Sequence, residues 1–366
     1  MKRLMVILVL TVPASCSPGS GGDATESGEA RMGSERVQVP GPGTLPSLSA
    51  PAAWQGDLPC ADCAGIRTIL VLQPDGTYRQ QHGYLGLAPE ADTLFGEMGR
   101  WVLDTDRQRI SLHGSGEGMG WFSVREDGSL RMLDREGREI ESALPYSLSP
   151  VPGVPELEAP LRMTGAFTYM ADAALFVECR SGIQLPVAMT EGYLPLERAY
   201  MEWRAEPLAP MLVRIRGWVE EQPAMEGDGT EEVLVVESFQ VGDEEIPCPA
   251  LEVREALAEG AWRLESLEGE EVVVAASGEV PTLTWDPEES HLSGSAGCNR
   301  YTARGFLRGT LLVAEEVAVT RRYCEGAMEL EGRFLSLLAA GGALRLDSGD
   351  LFLLSGPEEV ARFGRG

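Results

Sequence analysis

The chain has 366 residues and a formal net charge of −27 at pH 7, with 57 acidic against 30 basic side chains. Such a balance argues against nucleic acid and against anionic lipid surfaces as partners, since both demand a basic face, and favours solubility and cationic partners. His82, His113 and His291 are the only histidines; none stands in a metal or triad motif, and no G-x-S-x-G, H-E-x-x-H or phosphate-loop pattern occurs, so no enzyme is read from the sequence.

At the N-terminus, Lys2 and Arg3 precede the apolar run Leu4 to Val12, and Pro13-Ala14-Ser15-Cys16 follows as a small-residue cleavage site, the layout of an export signal. The arrangement resembles the bacterial lipobox, which implies that Cys16 becomes the mature N-terminus and carries a lipid (a palmitate-type acyl chain among them). Pro13 departs from the usual leucine, and a plain secretory signal cut near Ala14 is the alternative. The apolar run is too short to span a bilayer, and no later one is long enough. Ser17 after the cysteine implies, by the sorting rule for such lipoproteins, anchoring in the outer membrane on its periplasmic face. Residues 17–53 are rich in Gly, Pro, Ser, Ala and Glu, bury too little to offset their ordering entropy, and are expected as a disordered tether with a reach of roughly 30 to 35 Å.

Residues 54–148 alternate short apolar runs with turn signals, and Asp75-Gly76 and Asp127-Gly128 sit where hairpin turns require them. Strands are predicted over Thr68 to Leu72, Thr77 to Gln81, Gly99 to Leu103, Arg109 to Leu112, Trp121 to Val124, Leu130 to Leu133 and Glu139 to Ile140, closing into a small barrel. Gly114, Gly116, Gly118 and Gly120 fail the dinucleotide spacing and read as slack between strands. Cys60 and Cys63 lie in a turn that feeds a strand. No helix follows Cys63 to lower its pKa, as one would in a thioredoxin-like site. Trp54-Gln-Gly-Asp-Leu-Pro-Cys60-Ala-Asp-Cys63-Ala-Gly-Ile66, then Asp75-Gly-Thr-Tyr78, Gly99-Arg-Trp101 and Ile110-Ser-Leu112, resembles the N-terminal domain of NlpE, an outer-membrane lipoprotein family associated with copper resistance and envelope stress. The resemblance implies a lipocalin-like barrel and signalling to a sensor kinase.

Pro150, Pro152, Pro155 and Pro160 mark residues 149–160 as a linker crossed by no regular element. Residues 161–250 follow. Met163 to Cys179, Leu185 to Ala188 and Leu196 to Tyr200 resemble the C-terminal oligonucleotide-binding-type (OB) domain of NlpE. One helix is expected to end at Ala205, and strands at Leu212 to Val219 and Glu232 to Phe239 flank an acidic loop. Glu220, Glu221, Glu226, Asp228, Glu231 and Glu232 would repel a phosphate backbone, so the OB resemblance does not imply nucleic acid.

Residues 257–366 open at Gly260-Ala-Trp262-Arg-Leu264. Pro281 to Leu283, Leu292 to Gly294, Gly297-Cys-Asn-Arg-Tyr301, Thr320 to Cys324, the helical stretch Glu325 to Leu338, Leu344 to Leu346 and Leu351 to Leu354 resemble the META domain of HslJ-type proteins, which implies a β-rich unit with one helix. Ala303 stands where that family tends to have glycine. Glycine and asparagine around Cys298 suit a turn with positive φ. The fold class is therefore mainly β: a lipocalin-like barrel, an OB-like barrel and a META domain, with a boundary near Leu251 to Glu259.

Setting Cys16 aside leaves six cysteines, two per segment, and one bond within each segment is the least costly arrangement in an oxidising compartment: Cys60 with Cys63, Cys179 with Cys248, Cys298 with Cys324. The two long-loop bonds would each contribute about 3 to 4 kcal/mol by loop closure. Cys60 and Cys63 keep three readings: a small stabilising disulfide, a soft thiolate pair for Cu(I), or a redox-sensitive switch. Met170, Met189 and Met201 could add thioethers but are also ordinary core fillers. A small-ligand or copper carrier and a thiol oxidoreductase stand as alternatives to a signalling lipoprotein.

Overall fold

The structure is a computed structural model that describes residues 50–87, 93–104, 107–114, 120–170, 173–224, 229–242 and 246–366. Cys16, the export signal and nearly all of the expected tether lie outside these residues, as do Gly116, Gly118, Glu226 and Asp228.

Eight antiparallel strands come first: β1 (Ala52–Leu58), β2 (Gly65–Leu72), β3 (Thr77–Leu85), β4 (Leu94–Asp104), β5 (Arg109–Gly114), β6 (Gly120–Val124), β7 (Leu130–Met132) and β8 (Ser147–Val151). Their neighbour order is β4-β3-β2-β1-β8-β7-β6-β5, and β4 also pairs with β5, so the sheet closes on itself as a barrel. Its core is filled by side chains, among them Leu70, Leu72, Tyr78, Ile110, Phe122, Leu130 and Leu148. The expected tether through Ala53 is too long by two residues, because Ala52 and Ala53 already pair with Leu72 and Val71. Glu139 and Ile140 form no strand; Glu139 makes one isolated bridge to Leu133. Gly114 is not slack. It lies opposite Gly99, and a Cβ there would stand 2.3 Å from the Tyr78 hydroxyl, while one on Gly99 would stand 2.7 Å from the Tyr78 ring. The glycine pair leaves the room that the buried Tyr78 occupies.

The proline-rich stretch also departs from expectation. Pro150 sits in β8 opposite Trp54, at a point where β7, which pairs only with Ser147 and Leu148, has already ended. A strand with one open side tolerates the missing donor. Farther on, the amides of Glu158 and Ala159 donate to Gln81 Oε1 at 2.7 and 3.0 Å, and Gly96 N donates to Pro160 O at 2.9 Å. The stretch is thus docked on the barrel wall.

The second unit holds β9 (Leu161–Met170), β10 (Ala173–Glu178), β11 (Gln184–Pro186), α1 (Tyr193–Trp203), β12 (Met211–Pro223) and β13 (Thr230–Val241). β9 pairs with β10 and β12, β12 with β13, and β9 meets β4 in parallel at Leu161 and Gly96, so one 13-stranded sheet runs through both units. α1 buries Tyr193, Leu196 and Tyr200 at helical spacing against Phe167 and the β12 side chains Met211 and Val213. It ends at Trp203, two residues before Ala205, where Arg204 leaves the helical region and is extended (ψ 130°). Glu220 and Glu221 lie in β12 and Glu231 and Glu232 in β13, so four of the six acidic residues belong to a paired hairpin.

Then come α2 (Pro249–Ala258), β14 (Trp262–Leu267), β15 (Glu270–Glu271), β16 (Thr282–Asp286), β17 (His291–Ser295), β18 (Arg300–Arg308), β19 (Leu311–Val319), α3 (Met328–Ala340), β20 (Gly342–Asp347), β21 (Asp350–Ser355) and β22 (Glu358–Arg365). β14 and β22 pair and close this nine-stranded sheet, and α3 places Phe334 and Leu338 in its core. The expected boundary near Leu251 to Glu259 is in fact helix α2. Pro249 opens it at the first helical position, the Cys248 N–H donates to Glu252 Oε1 at 2.9 Å, and Val253, Ala256 and Leu257 enter the third core. Ala303 lies in β18, where the pairing with β19 shifts register between Thr302 and Arg304, a bulge rather than a turn.

Candidate functional site

β1 and β2 are in register from Ala52–Leu72 to Leu58–Ile66, so residues 59–64 form the tip of a hairpin at one rim of the barrel. Below it, Asp57 and Arg67 are paired at 2.9 Å, and the guanidinium holds the Asp57 carboxyl below the usual carboxylate range. Ala64 N donates to Leu85 O at 2.9 Å, which ties the tip to the end of β3. Cys60 and Cys63 are half-buried and joined by an S–S bond of 2.08 Å, while Ala61 and Asp62 between them are exposed. A reductant or partner thiol approaching from solvent therefore meets this bond directly.

The other two cysteine pairs sit differently. Cys179 and Cys248 are bonded at 1.91 Å and Cys298 and Cys324 at 2.02 Å, and all four side chains are buried. The first joins the end of β10 to the start of α2; the second closes the loop between β19 and α3 onto the start of β18.

A copper ion does not fit the Cys60–Cys63 loop as it stands. Bonded sulfurs have given up their thiolate charge, and among the described residues no group of three or more His, Cys, Asp or Glu could hold a metal. Met170, Met189 and Met201 are exposed residues of the second unit, at the end of β9, before α1 and within α1. They are not core filler.

The histidines also stand apart. His82 on β3 lies 3.2 Å by Nδ1 from Thr68 Oγ1 and 3.8 Å by Nε2 from Glu97. His291 begins β17. His113 forms a pair that sequence reasoning missed, its Nε2 3.0 Å from Ser111 Oγ inside the barrel wall. Burial lowers its pKa to about 4, and no carboxylate orients its other nitrogen among the described residues, so the pair lacks the third group and the access that an activated serine needs. Two more buried groups carried no sequence signal. Glu178 Oε2 accepts from Ser181 N, Ser181 Oγ and Arg180 N, while Oε1 has no hydrogen-bond partner among the described residues; burial raises its pKa. Glu331 on α3 accepts from the amides of Cys298 and Asn299 and from Asn299 Nδ2.

Three family models match successive stretches: the NlpE N-terminal domain over residues 54–143, the NlpE C-terminal OB domain over 157–249 and the META domain over 255–365. Lipoprotein NlpE of Escherichia coli strain K12 is 37% identical over 167 residues, which cover 46% of this chain and 67% of that protein. The chain belongs to the NlpE family. Among solved structures, that of the Cpx pathway activator NlpE from Escherichia coli is 31% identical and covers 54% of this chain and 98% of its own, with a TM-score of 0.23. A protein from Burkholderia xenovorans, solved by NMR, is 22% identical and covers 34% of this chain and 94% of its own, with a TM-score of 0.27. The NlpE models together take in the barrel strands up to β7 with the Cys60–Cys63 tip, leaving β8 between them, and the second unit with both members of the Cys179–Cys248 bond. The META model begins inside α2 and takes in the remaining pair.

Proposed function

We propose that this protein is a non-enzymatic envelope lipoprotein, acylated at Cys16 and held on the periplasmic face of the outer membrane, that reports envelope stress to a sensor kinase. The observation that carries the reading is the 37% identity over 167 residues to Lipoprotein NlpE of Escherichia coli, the Cpx pathway activator. The N-terminal barrel offers its half-exposed Cys60–Cys63 tip as the element whose oxidation state tunes signalling, since it meets solvent while the other two bonds are buried. A carrier of Cu(I) would first require reduction of that bond and ligands from elsewhere.

The test is a stress-responsive reporter in cells that overexpress the chain. Wild type raises the output; Cys60→Ser with Cys63→Ser changes it while the barrel stays folded; Cys16→Ala abolishes incorporation of labelled palmitate and removes the protein from the outer-membrane fraction. An unchanged fractionation of Cys16→Ala removes the anchor from the reading, and a reporter indifferent to the whole chain removes the signalling.

A further inference from the structure

On the third unit, four polar side chains form a single row across four neighbouring strands. Arg263 on β14 pairs with Thr282 on β16, and Ser295 on β17 pairs with Arg300 on β18. The β16–β17 register, which aligns Thr284 with Ser293, places Thr282 opposite Ser295 when carried two residues on. Directly opposed residues of an antiparallel sheet project from the same face. The neighbours Trp262, Leu264, Leu283 and Tyr301 point the other way into the core, so the row lies on the opposite face, with Arg263 and Arg300 exposed at its ends, Thr282 half-buried and Ser295 buried between them. With strands about 4.8 Å apart, the two arginine Cα atoms lie roughly 14 Å from one another, a span that two long side chains bridge by arching over the hydroxyls between them.

The row lines a cavity of about 400 Å³, to which Glu279 and Val280 also contribute. Its chemistry is donor-rich. Thr282 Oγ1 already accepts the Ser295 amide at 2.9 Å, and Ser295 Oγ accepts the Gly297 amide at 3.2 Å, so each hydroxyl has its proton left to offer. Neither arginine has an ion-pair or side-chain hydrogen-bond partner among the described residues. By contrast, the nearby Arg362 and Arg365 are engaged by Glu265 and Glu259. Two guanidiniums against the single carboxylate of Glu279 give the lining a charge of +1 in a chain whose total is −27.

We propose that this cavity binds a phosphate group carried by a small ester, with Arg263 and Arg300 clamping its outer oxygens and Thr282 and Ser295 donating from below. Two forks and two hydroxyl protons exceed what the two oxygens of a carboxylate accept and suit the three or more of a phosphate. The Glu279 carboxylate disfavours polyphosphates. A free phosphomonoester and the phosphomonoester head of a phosphatidic acid present the same three-oxygen chemistry, which a phosphodiester headgroup with its two unesterified oxygens does not.

The experiment uses the full chain in a non-ionic detergent, titrated by calorimetry with inorganic phosphate and with glycerol 3-phosphate, and the Cys16→Ala form, free of detergent, floated with vesicles that contain phosphatidic acid. Saturable binding of a soluble probe is expected, weakened about tenfold by Arg263→Gln or by Arg300→Gln, as losing a charge-assisted hydrogen bond implies. Glu279→Gln is expected to tighten binding, a change of opposite sign that no loss of folding produces. Flotation that inorganic phosphate reverses identifies the lipid headgroup as the source, and soluble binding without flotation identifies a free ester. The absence of saturable binding to every probe overturns the proposal, as does affinity indifferent to the double arginine substitution.

Discussion

Asn299 shows how a single side chain serves a different end from the one its sequence context suggests. It sits beside Cys298 in a glycine-rich turn, where asparagine is expected to tolerate positive φ, yet the positive φ belongs to Gly297 at 119° and not to Asn299. The amide instead saturates its hydrogen bonding: Oδ1 accepts from Thr320 Oγ1 and Arg322 N, and Nδ2 donates to Arg322 O and Glu331 Oε1. Asn299→Ala is expected to destabilise the third unit by about 2 to 4 kcal/mol in chemical denaturation, because several buried partners lose their match at once. His113 makes a second residue-level prediction. Its folded pKa of about 4 lies below the ordinary 6.5, so the neutral imidazole contributes fully above pH 6.5, and that contribution is lost as pH falls toward 4. The slope amounts to about 3 kcal/mol across that window. Urea melts of the barrel at pH 7 and pH 4.5 should differ less for His113→Gln than for wild type by roughly that amount.

Among the elements, α2 has the widest consequences relative to its length. Its first residue follows Cys248, which is bonded to the end of β10, and its apolar face enters the core under β16 and β20. The helix is thus covalently tied to one unit and packed into the next. Leu257 is fully buried, and Leu257→Ala is expected to cost about 2 to 5 kcal/mol, read as a lowered melting temperature of the third unit with the barrel unaffected. Sequence reading passed over this helix because Pro247-Cys248-Pro249 looks like punctuation. A proline at the first helical position in fact starts a helix, since the N–H it lacks would have no partner there. β1 was missed for a related reason: Trp54 to Leu58 carries Gln55, Gly56 and Asp57, and only its pairing with both β2 and β8 makes it a strand.

At the scale of the whole molecule, the turn from Glu178 to Ile183 touches all three units. The buried Glu178 carboxylate gathers the Arg180 and Ser181 amides, and Ser181 O accepts Arg100 Nε from the barrel at 3.1 Å. Burial and the nearby Arg308 hold the Arg100 pKa down. On the other side, Gly182 lies so close to Gly309 that a Cβ on either would stand 2.5 Å or less from the opposing backbone. Gly309→Val is therefore expected to part the second and third units. Small-angle scattering should show an increased radius of gyration, and hydrogen exchange should rise at residues 180–183 while the cores stay protected. Unchanged scattering and exchange would mean that the contact contributes nothing to the arrangement.

Much of this molecule was legible in the chain alone. Alternating apolar residues and Asp-Gly turns place β2 to β7, because a barrel strand has one dry and one wet face and a period of two follows from that. The spacing of cysteines two per segment reads the same pairs that the structure joins. What no local pattern carries is closure: the pairing of β1 with β8 and of β14 with β22 depends on residues far apart in the chain meeting at one edge. The docking of residues 158–160 on Gln81 and Gly96 is likewise tertiary, since prolines declare only what the backbone cannot do locally. The row of Arg263, Thr282, Ser295 and Arg300 exists only through register. Its members are scattered over 38 positions of sequence and share no motif, and the sheet alone brings their side chains to one face.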